Sequence, residues 1–204
     1  PNYLVIDKMC AIAENKDVQV IMVITKTDMA EYENIRSVYA KAGFKVFYTG
    51  ADDDGQLEEI RREMQGKLCV FSGNSGVGKS TLLNKLFPHL SLETGITSKK
   101  LGRGKHTTRR VEIFETDGCM VADTPGFSSV ELVDDNFISK DDLQYAFVEF
   151  APYLGSCKFA DCRHINEIGC AVKGAVDGGE IPQSRYESYK ALYDRQKNIK
   201  EWEL

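Results

Sequence analysis

No apolar stretch in this 204-residue chain approaches a membrane span. The longest strongly apolar run is residues 20–24, against the ~20 residues that a bilayer crossing needs. Positive charge is also short. Lys and Arg number 26 against 31 Asp and Glu, a formal net charge of −5, whereas a protein gripping nucleic acid with its whole surface would more often be basic. No secretory leader pattern follows Pro1, no segment repeats, and none is of low complexity. Hydrophobic residues at 42% and charged residues at 28% exclude collagen-like, disordered and membrane classes and leave a soluble globular chain. The length suits one large domain with a small annex. The chain opens on Pro rather than Met and reads as part of a longer protein.

Histidine is scarce, at three residues, and cysteine moderate, at six. Cys10, Cys69 and Cys119 stand in apolar or strand-like surroundings and read as ordinary buried thiols. Cys157, Cys162 and Cys170 gather around His164, and an intracellular metal site explains that cluster better than a disulfide frame. Hydrophobic patterning predicts helices over residues 3–15, 31–42, 57–64, 80–87, 140–150 and 184–202. Strands are expected over residues 18–24, 44–48, 68–71, 111–114 and 119–122, the last two joined by an Asp117-Gly118 turn. Residues 95–110 read as a long polar loop. Strands alternating with helices indicate an α/β fold with a largely parallel sheet.

Gly73-Asn74-Ser75-Gly76-Val77-Gly78-Lys79-Ser80 fits G-x-x-x-x-G-K-[ST], after a predicted strand and before a predicted helix. Glycines there let the backbone wrap a phosphate, and amides at the helix N-terminus point at the anion. Lys79 would reach the β- and γ-phosphates, and Ser80 would bind Mg²⁺, with Thr81 beside it. The motif points to a nucleotide without choosing the base. Thr25-Lys26-Thr27-Asp28 follows another strand and resembles the [NT]-K-x-D element of GTPases. There the Asp carboxylate accepts from two guanine N–H groups, a pair that adenine lacks. Alone this segment is equally a charged loop after a strand. Asp123-Thr124-Pro125-Gly126 matches D-x-x-G. Asp123 would hold Mg²⁺ and the Gly126 amide would sense the γ-phosphate, although D-T-P-G by itself is also a common turn. Together, each after a strand, the three motifs make a guanine-nucleotide site. Their order is unusual, because the base-reading motif comes first. A circularly permuted chain can reach the same fold, since termini often lie close together.

With Gly104-Lys105-His106-Thr107-Thr108-Arg109, Asp123-Thr124-Pro125-Gly126-Phe127 and the Cys/His segment in that order, the chain resembles the RsgA family of circularly permuted GTPases. Gly169-Cys170-Ala171-Val172, Arg185-Tyr186 and Tyr189 are similar to its C-terminal signature. The resemblance covers essentially the whole chain. It implies a permuted GTPase domain over residues 1–136 and a zinc-binding domain over 137–204. It also implies an N-terminal OB-fold and one further sheet strand that this sequence does not contain. The implied function is a GTP-hydrolysing switch in late maturation of the small ribosomal subunit. Its partners would be GTP or GDP, ribosomal RNA and ribosomal proteins, with no membrane, and it would act as a cytoplasmic monomer.

On the same resemblance, Gly50 and Ala51 stand where GTPases often have Ser-Ala-Lys. The Ala51 N–H remains available to guanine O6, while the Ser and Lys contributions are lost. Thr108 or Thr107 would complete the Mg²⁺ shell. Phe127 stands where many GTPases place a water-orienting Gln. A low intrinsic rate follows, with His106 as the candidate water-orienting residue. Lys99, Lys100, Arg103, Lys105, Arg109 and Arg110 form a basic patch suited to an RNA backbone, or equally a solvated loop. Cys157, Cys162, His164 and Cys170 would bind one structural Zn²⁺. His89 shows no partner in the sequence, and Tyr186, Tyr189 and Tyr193 form a stripe expected to pack on the annex. The alternative is a P-loop phosphotransferase acting on a small molecule, which would use ATP and would not need Asp28. A third reading, a zinc RNA-binding module with a decayed nucleotide site, fits poorly with intact Lys79, Ser80 and Asp123.

Overall fold

The computed structural model describes residues 2–51, 56–74, 76–90, 112–123 and 138–196. Among these, five strands form two sheets, β1–β2 and β3–β5–β4. Packing divides the chain into two units. One is drawn from the described residues of 1–22, 32–46 and 133–204, the other from those of 23–31 and 47–132. Packing therefore groups the first helices with the C-terminal segment, whereas the sequence reading divides the chain by function at residue 136.

The second unit carries the glycine-rich loop. Strand β3 (Leu68–Val70) leads into that loop, and helix α4 (Lys79–Leu86) leaves it. Strands β4 (Glu112–Thr116) and β5 (Cys119–Asp123) form an antiparallel hairpin. Its turn residues Asp117 and Gly118 both have positive φ, 43° and 81°, the geometry that makes Asp-Gly a strong hairpin signal. Strand β5 also pairs in parallel with β3, matching Leu68 to Met120 and Val70 to Ala122. The chain thus leaves β3 and β5 at the same edge of the sheet. Helix α3 (Leu57–Met64) places Leu57, Ile60 and Met64 on one face, a helical spacing. Those side chains pack with Leu82, Leu83, Leu86 and Phe87 and with Cys119 and Val121 of β5. Glu58 and Glu59 in its first turn and Arg61 and Arg62 in its last complement the helix dipole. Strands β1 (Ile21–Thr25) and β2 (Lys45–Thr49) deliver Thr25 and Thr49-Gly50 to this unit.

The first unit is mainly helical. Helix α1 (Tyr3–Glu14) starts at Asn2, whose side chain accepts from the Val5 N–H. With α2 (Glu33–Lys41) it encloses Cys10, Tyr39, Ala42 and Phe44. Residues 140–150, expected as an α-helix, are instead 3-10 segments over Leu143–Ala146 and Val148–Tyr153. Phe147 interrupts them in an extended conformation, φ −104° and ψ 90°. Its ring is fully buried, edge-on to Tyr189 at 5.3 Å, so tertiary packing overrides the helical pattern. A short helix α5 (Ala171–Asp177), which the sequence pattern missed, precedes α6 (Gln183–Gln196). The expected extension of α6 to residue 202 lies outside the described residues.

Arg185 of α6 is the largest fully buried side chain in this unit. Its guanidinium forms two bonds to Glu149, at 2.6 and 2.9 Å, and one of 2.8 Å to Asp7 of α1. It also lies over the rings of Phe147 at 4.6 Å and Phe44 at 5.3 Å. The Tyr39 hydroxyl donates to the same Asp7 oxygen at 3.0 Å. Burial alone would lower the Arg185 pKa, but the two carboxylates outweigh it and raise it. Four elements, α1, α2, the second 3-10 segment and α6, are tied by this one group.

Candidate functional site

The glycine-rich loop needs its glycines. Gly73, Gly76 and Gly78 have φ of 153°, 78° and 96°, values that side chains disfavour. A Cβ on Gly73 would come 3.2 Å from Val77 Cγ2. Gly78 is the left-handed residue from which α4 starts. Lys79, the first residue of that helix, folds its ammonium over the loop, donating to the Gly73 carbonyl and to the Asn74 carbonyl at 3.2 Å. Ser80 and Thr81 occupy the same first turn, with Ser80 half-buried and Thr81 exposed.

Thr25 to Asp28 lies directly against this loop, although it precedes it by about fifty residues. The Thr25 hydroxyl donates to the Val77 carbonyl. Lys26 Nζ donates to the Gly76 carbonyl at 2.7 Å. Lys26 itself has φ 59°, a conformation costing a non-glycine residue about 1–3 kcal/mol, held in place by that bond. At Gly78 a Cβ would sit 3.6 Å from Thr25 Oγ1, an ordinary contact, so it is the positive φ rather than space that favours glycine there.

The Gly50-Ala51 segment completes the arrangement. The Ala51 N–H donates to Asp28 Oδ1 at 3.0 Å, and the Thr27 N–H to the Thr49 carbonyl at 3.4 Å. A Cβ on Gly50 would come 3.1 Å from both Asp28 Oδ1 and Thr27 Oγ1. An acceptor carboxylate and a donor amide therefore face each other beside the phosphate loop. Guanine presents the complementary set, N1–H and N2–H as donors and O6 as acceptor. Sequence reasoning missed Lys85 of α4, whose ammonium donates to the carbonyls of Gly50 at 3.0 Å and Ala51 at 2.9 Å.

Asp123 ends β5, one residue beyond the Val70–Ala122 pair, so its backbone lies at the sheet edge from which the phosphate loop departs. Ser75, His106, Thr107, Thr108, Gly126, Phe127 and the basic residues from Lys99 to Arg110 lie outside the described residues. His89, without a partner in the sequence reading, has one: its Nε2 lies 2.7 Å from Thr116 Oγ1, so it pins the β4–β5 hairpin.

The cysteine-histidine cluster is assembled in the first unit. One ligand atom from each of Cys157, Cys162, His164 and Cys170 lies within 4.8 Å of the others, a set that could hold a metal ion. His164 Nδ1 is 3.5 Å from Cys157 Sγ and 3.3 Å from Cys170 Sγ, and those sulfurs are 3.9 Å apart. The imidazole is oriented from behind, with Nε2 3.0 Å from Gln144 Oε1, as ligating histidines usually are. Backbone N–H groups of Ala171 and Lys173 point at the Cys157 and Cys170 sulfurs. Burial pushes the Cys162 thiol up to about 12, raises Cys170 and lowers His164.

Three further groups shape the knuckle. Burial would raise the Glu167 carboxyl, but N–H groups of Arg163, Ile165 and Asn166 bond to it and bring it below its usual range. The Tyr186 hydroxyl donates to the His164 carbonyl at 2.7 Å and the Tyr189 hydroxyl to the Arg163 carbonyl at 2.9 Å. The tyrosine stripe thus packs on the annex as expected. Of the thiols read as ordinary and buried, Cys10 and Cys119 are buried, while Cys69 is only partly so.

A family model described as RsgA GTPase matches residues 1–133. The small ribosomal subunit biogenesis GTPase RsgA of Bacillus subtilis is 44% identical over 191 residues, 90% of this chain and 63% of that protein. Its counterpart from Alkaliphilus metalliredigens is 41% identical over 194 residues, 93% of this chain and 65% of that protein. Two solved structures each superpose with a TM-score of 0.74. One is YjeQ from Thermotoga maritima, at 33% identity over 98% of this chain and 67% of that one. The other is YloQ, described as a circularly permuted GTPase, at 37% identity over 97% of this chain and 63% of that one. The chain spans about two thirds of the length of these relatives. Among the described residues, no helix is long and apolar enough to cross a membrane.

Proposed function

The chain belongs to the RsgA GTPase family, and from that premise we propose that it is a GTP-hydrolysing switch in maturation of the small ribosomal subunit. The observation that carries the nucleotide part is the docking of Thr25 and Lys26 onto the Val77 and Gly76 carbonyls. It joins a guanine-reading carboxylate to a phosphate loop in permuted order. Asp28 would accept from guanine N1–H and N2–H, and the Ala51 N–H would donate to O6. Lys79 and the amides of residues 73–80 would hold the phosphates and offset charge developing on the γ-phosphoryl group. Ser80, Asp123 and Thr107 or Thr108 would supply oxygen donors of the hard kind that Mg²⁺ takes. A magnesium ion bound by these oxygens would supply neutralisation of the phosphate charge.

Hydrolysis is attack of water on the γ-phosphate. Phe127 cannot orient that water, so we assign the role to His106 and expect a low basal rate. The cations from Lys99 to Arg110 would meet the ribosomal RNA backbone, and RNA would order the segment for hydrolysis. The subunit assignment rests on the names of the relatives, small ribosomal subunit biogenesis GTPases, and implies the cytoplasm.

For the cysteine-histidine cluster we propose one structural zinc ion. Tetrahedral Zn²⁺, with Zn–S of about 2.3 Å and Zn–N of about 2.0 Å, needs S···S of about 3.8 Å and N···S of about 3.5 Å. The separations of 3.9 Å for the sulfur pair and 3.5 and 3.3 Å from His164 Nδ1 match that geometry. Four protein ligands leave no open position, so the ion would hold the knuckle together.

Steady-state turnover of GTP and of ATP, with and without purified small ribosomal subunits, tests the proposal. Low basal GTP turnover that rises strongly with subunits, and falls back in His106→Ala, is the expected result. Equal use of ATP with no effect of subunits would overturn it.

A further inference from the structure

The guanine-recognition loop of this chain lacks the Ser and Lys side chains that would normally stiffen it, since Gly50-Ala51-Asp52 stands there. We infer that Lys85 of α4 is the positioning residue that replaces them, holding the Ala51 N–H on the side of the Asp28 carboxylate, where the purine O6 would be met. The inference rests on the guanine-nucleotide reading above.

The geometry is specific. The Gly50 carbonyl and the Ala51 N–H belong to one trans peptide unit, so their bonds point in opposite directions within one plane. Lys85 Nζ grips that carbonyl at 3.0 Å and the next one, of Ala51, at 2.9 Å. On the other side, the Ala51 N–H points at Asp28 Oδ1, 3.0 Å away. Pinning two successive carbonyls from one side therefore sets the amide on the opposite side, beside the carboxylate that reads the base. Charge-assisted bonds of this kind are about twice as strong as neutral ones. Gly50 itself gives no side-chain hold and would clash with Asp28 and Thr27 if it had a Cβ.

The anchor also has a rigid base. Lys85 lies six residues beyond Lys79 on the same helix, about 9 Å along its axis. Arg61 of α3 donates to the Lys85 carbonyl at 2.8 Å and the Leu86 carbonyl at 2.9 Å, satisfying the last turn of α4. The helix that holds the phosphates at its start thus holds the base-reading amide near its end.

The test is equilibrium binding to the 204-residue chain of GDP, of ADP and of the diphosphate of 2-aminopurine riboside. The last lacks O6, and with it the N1–H, but keeps the N2 amine and is followed by its own fluorescence, so it binds without any contact to the Ala51 N–H. Lys85→Met keeps the aliphatic stem and removes the ammonium. It should weaken GDP about five- to tenfold, the worth of one lost hydrogen bond, and leave the 2-aminopurine nucleotide unchanged. Lys85→Arg, which can still donate to two carbonyls, should restore GDP binding. Equal loss for both nucleotides, no loss for GDP, or failure of Lys85→Arg to rescue would each overturn the inference. A wild-type chain that bound ADP as well as GDP would instead sink the guanine reading itself, whatever the variants did.

Discussion

Asp7 and Glu149 are carboxylates in a protein interior, where Arg185 pairs with both and the Tyr39 hydroxyl donates to Asp7. Asp7 and Arg185 are fully buried, and Asp7 Oδ2 has no hydrogen-bond partner among the described residues. Arg185→Met would keep much of the packing against Phe147 and Phe44 but strand two buried carboxylates. Loss of one partner from such a group costs about 3–5 kcal/mol. Urea denaturation should show a loss of that size, and a change near zero would mean that the carboxylates find other partners. The sequence showed Arg185 as one residue of a signature and nothing more, because its partners are 36 and 178 positions away. Gln144 and Lys85 were invisible for the same reason, since His164 lies 20 positions from Gln144 and Gly50 lies 35 from Lys85. The placement of Gly73, Gly76, Gly78, Lys79 and Asp28 was legible, since it follows from local backbone geometry and from motifs that each follow a strand.

At the scale of elements, the cysteine-histidine knuckle has little regular structure of its own between Tyr153 and Ala171, so a metal would supply stability that packing does not. Removal of the ion with a strong chelator should lower the melting temperature and expose the thiols to a disulfide reagent. An unchanged melting curve would refute a structural ion. The pH dependence should also differ in sign between the two forms. Without metal, burial raises the Cys162 and Cys170 thiols, so the fold holds their protons more tightly than the unfolded chain does. That contribution is complete below about pH 8.5 and drains away as pH rises toward about 12. With metal the thiols must be deprotonated, so affinity rises with pH. His164, lowered by burial, is already neutral near pH 7 and adds little. Most elements were readable from periodicity, α3 to the residue. The stretch from 140 to 150 was not, because Phe147, fully buried in an extended conformation, breaks it into two 3-10 segments. Helix α5 escaped notice because it is seven residues long and starts from Cys170 of the cysteine-histidine cluster.

Across the whole molecule, order along the chain and order in space diverge. The segment at residues 25–28, proposed to read the base, meets the glycine-rich loop through Thr25 and Lys26, and the reversed order was legible because each motif follows its own strand. The division into two packed units was not, since it depends on α1 and α2 packing with α6 and its neighbours. The expectation that follows from the proposed function is that this permuted arrangement selects guanine through Asp28. It is tested most directly by equilibrium binding of GDP, ADP and xanthosine diphosphate to the wild-type chain and to Asp28→Asn. Xanthine carries a carbonyl where guanine has its N2 amine, so the amide of Asn would donate where Asp28 accepts. The expected result is GDP bound at least about 100-fold more tightly than ADP, with the preference moving to xanthosine diphosphate in the variant. Equal binding of GDP and ADP, unaffected by Asp28→Asn, would contradict the claim.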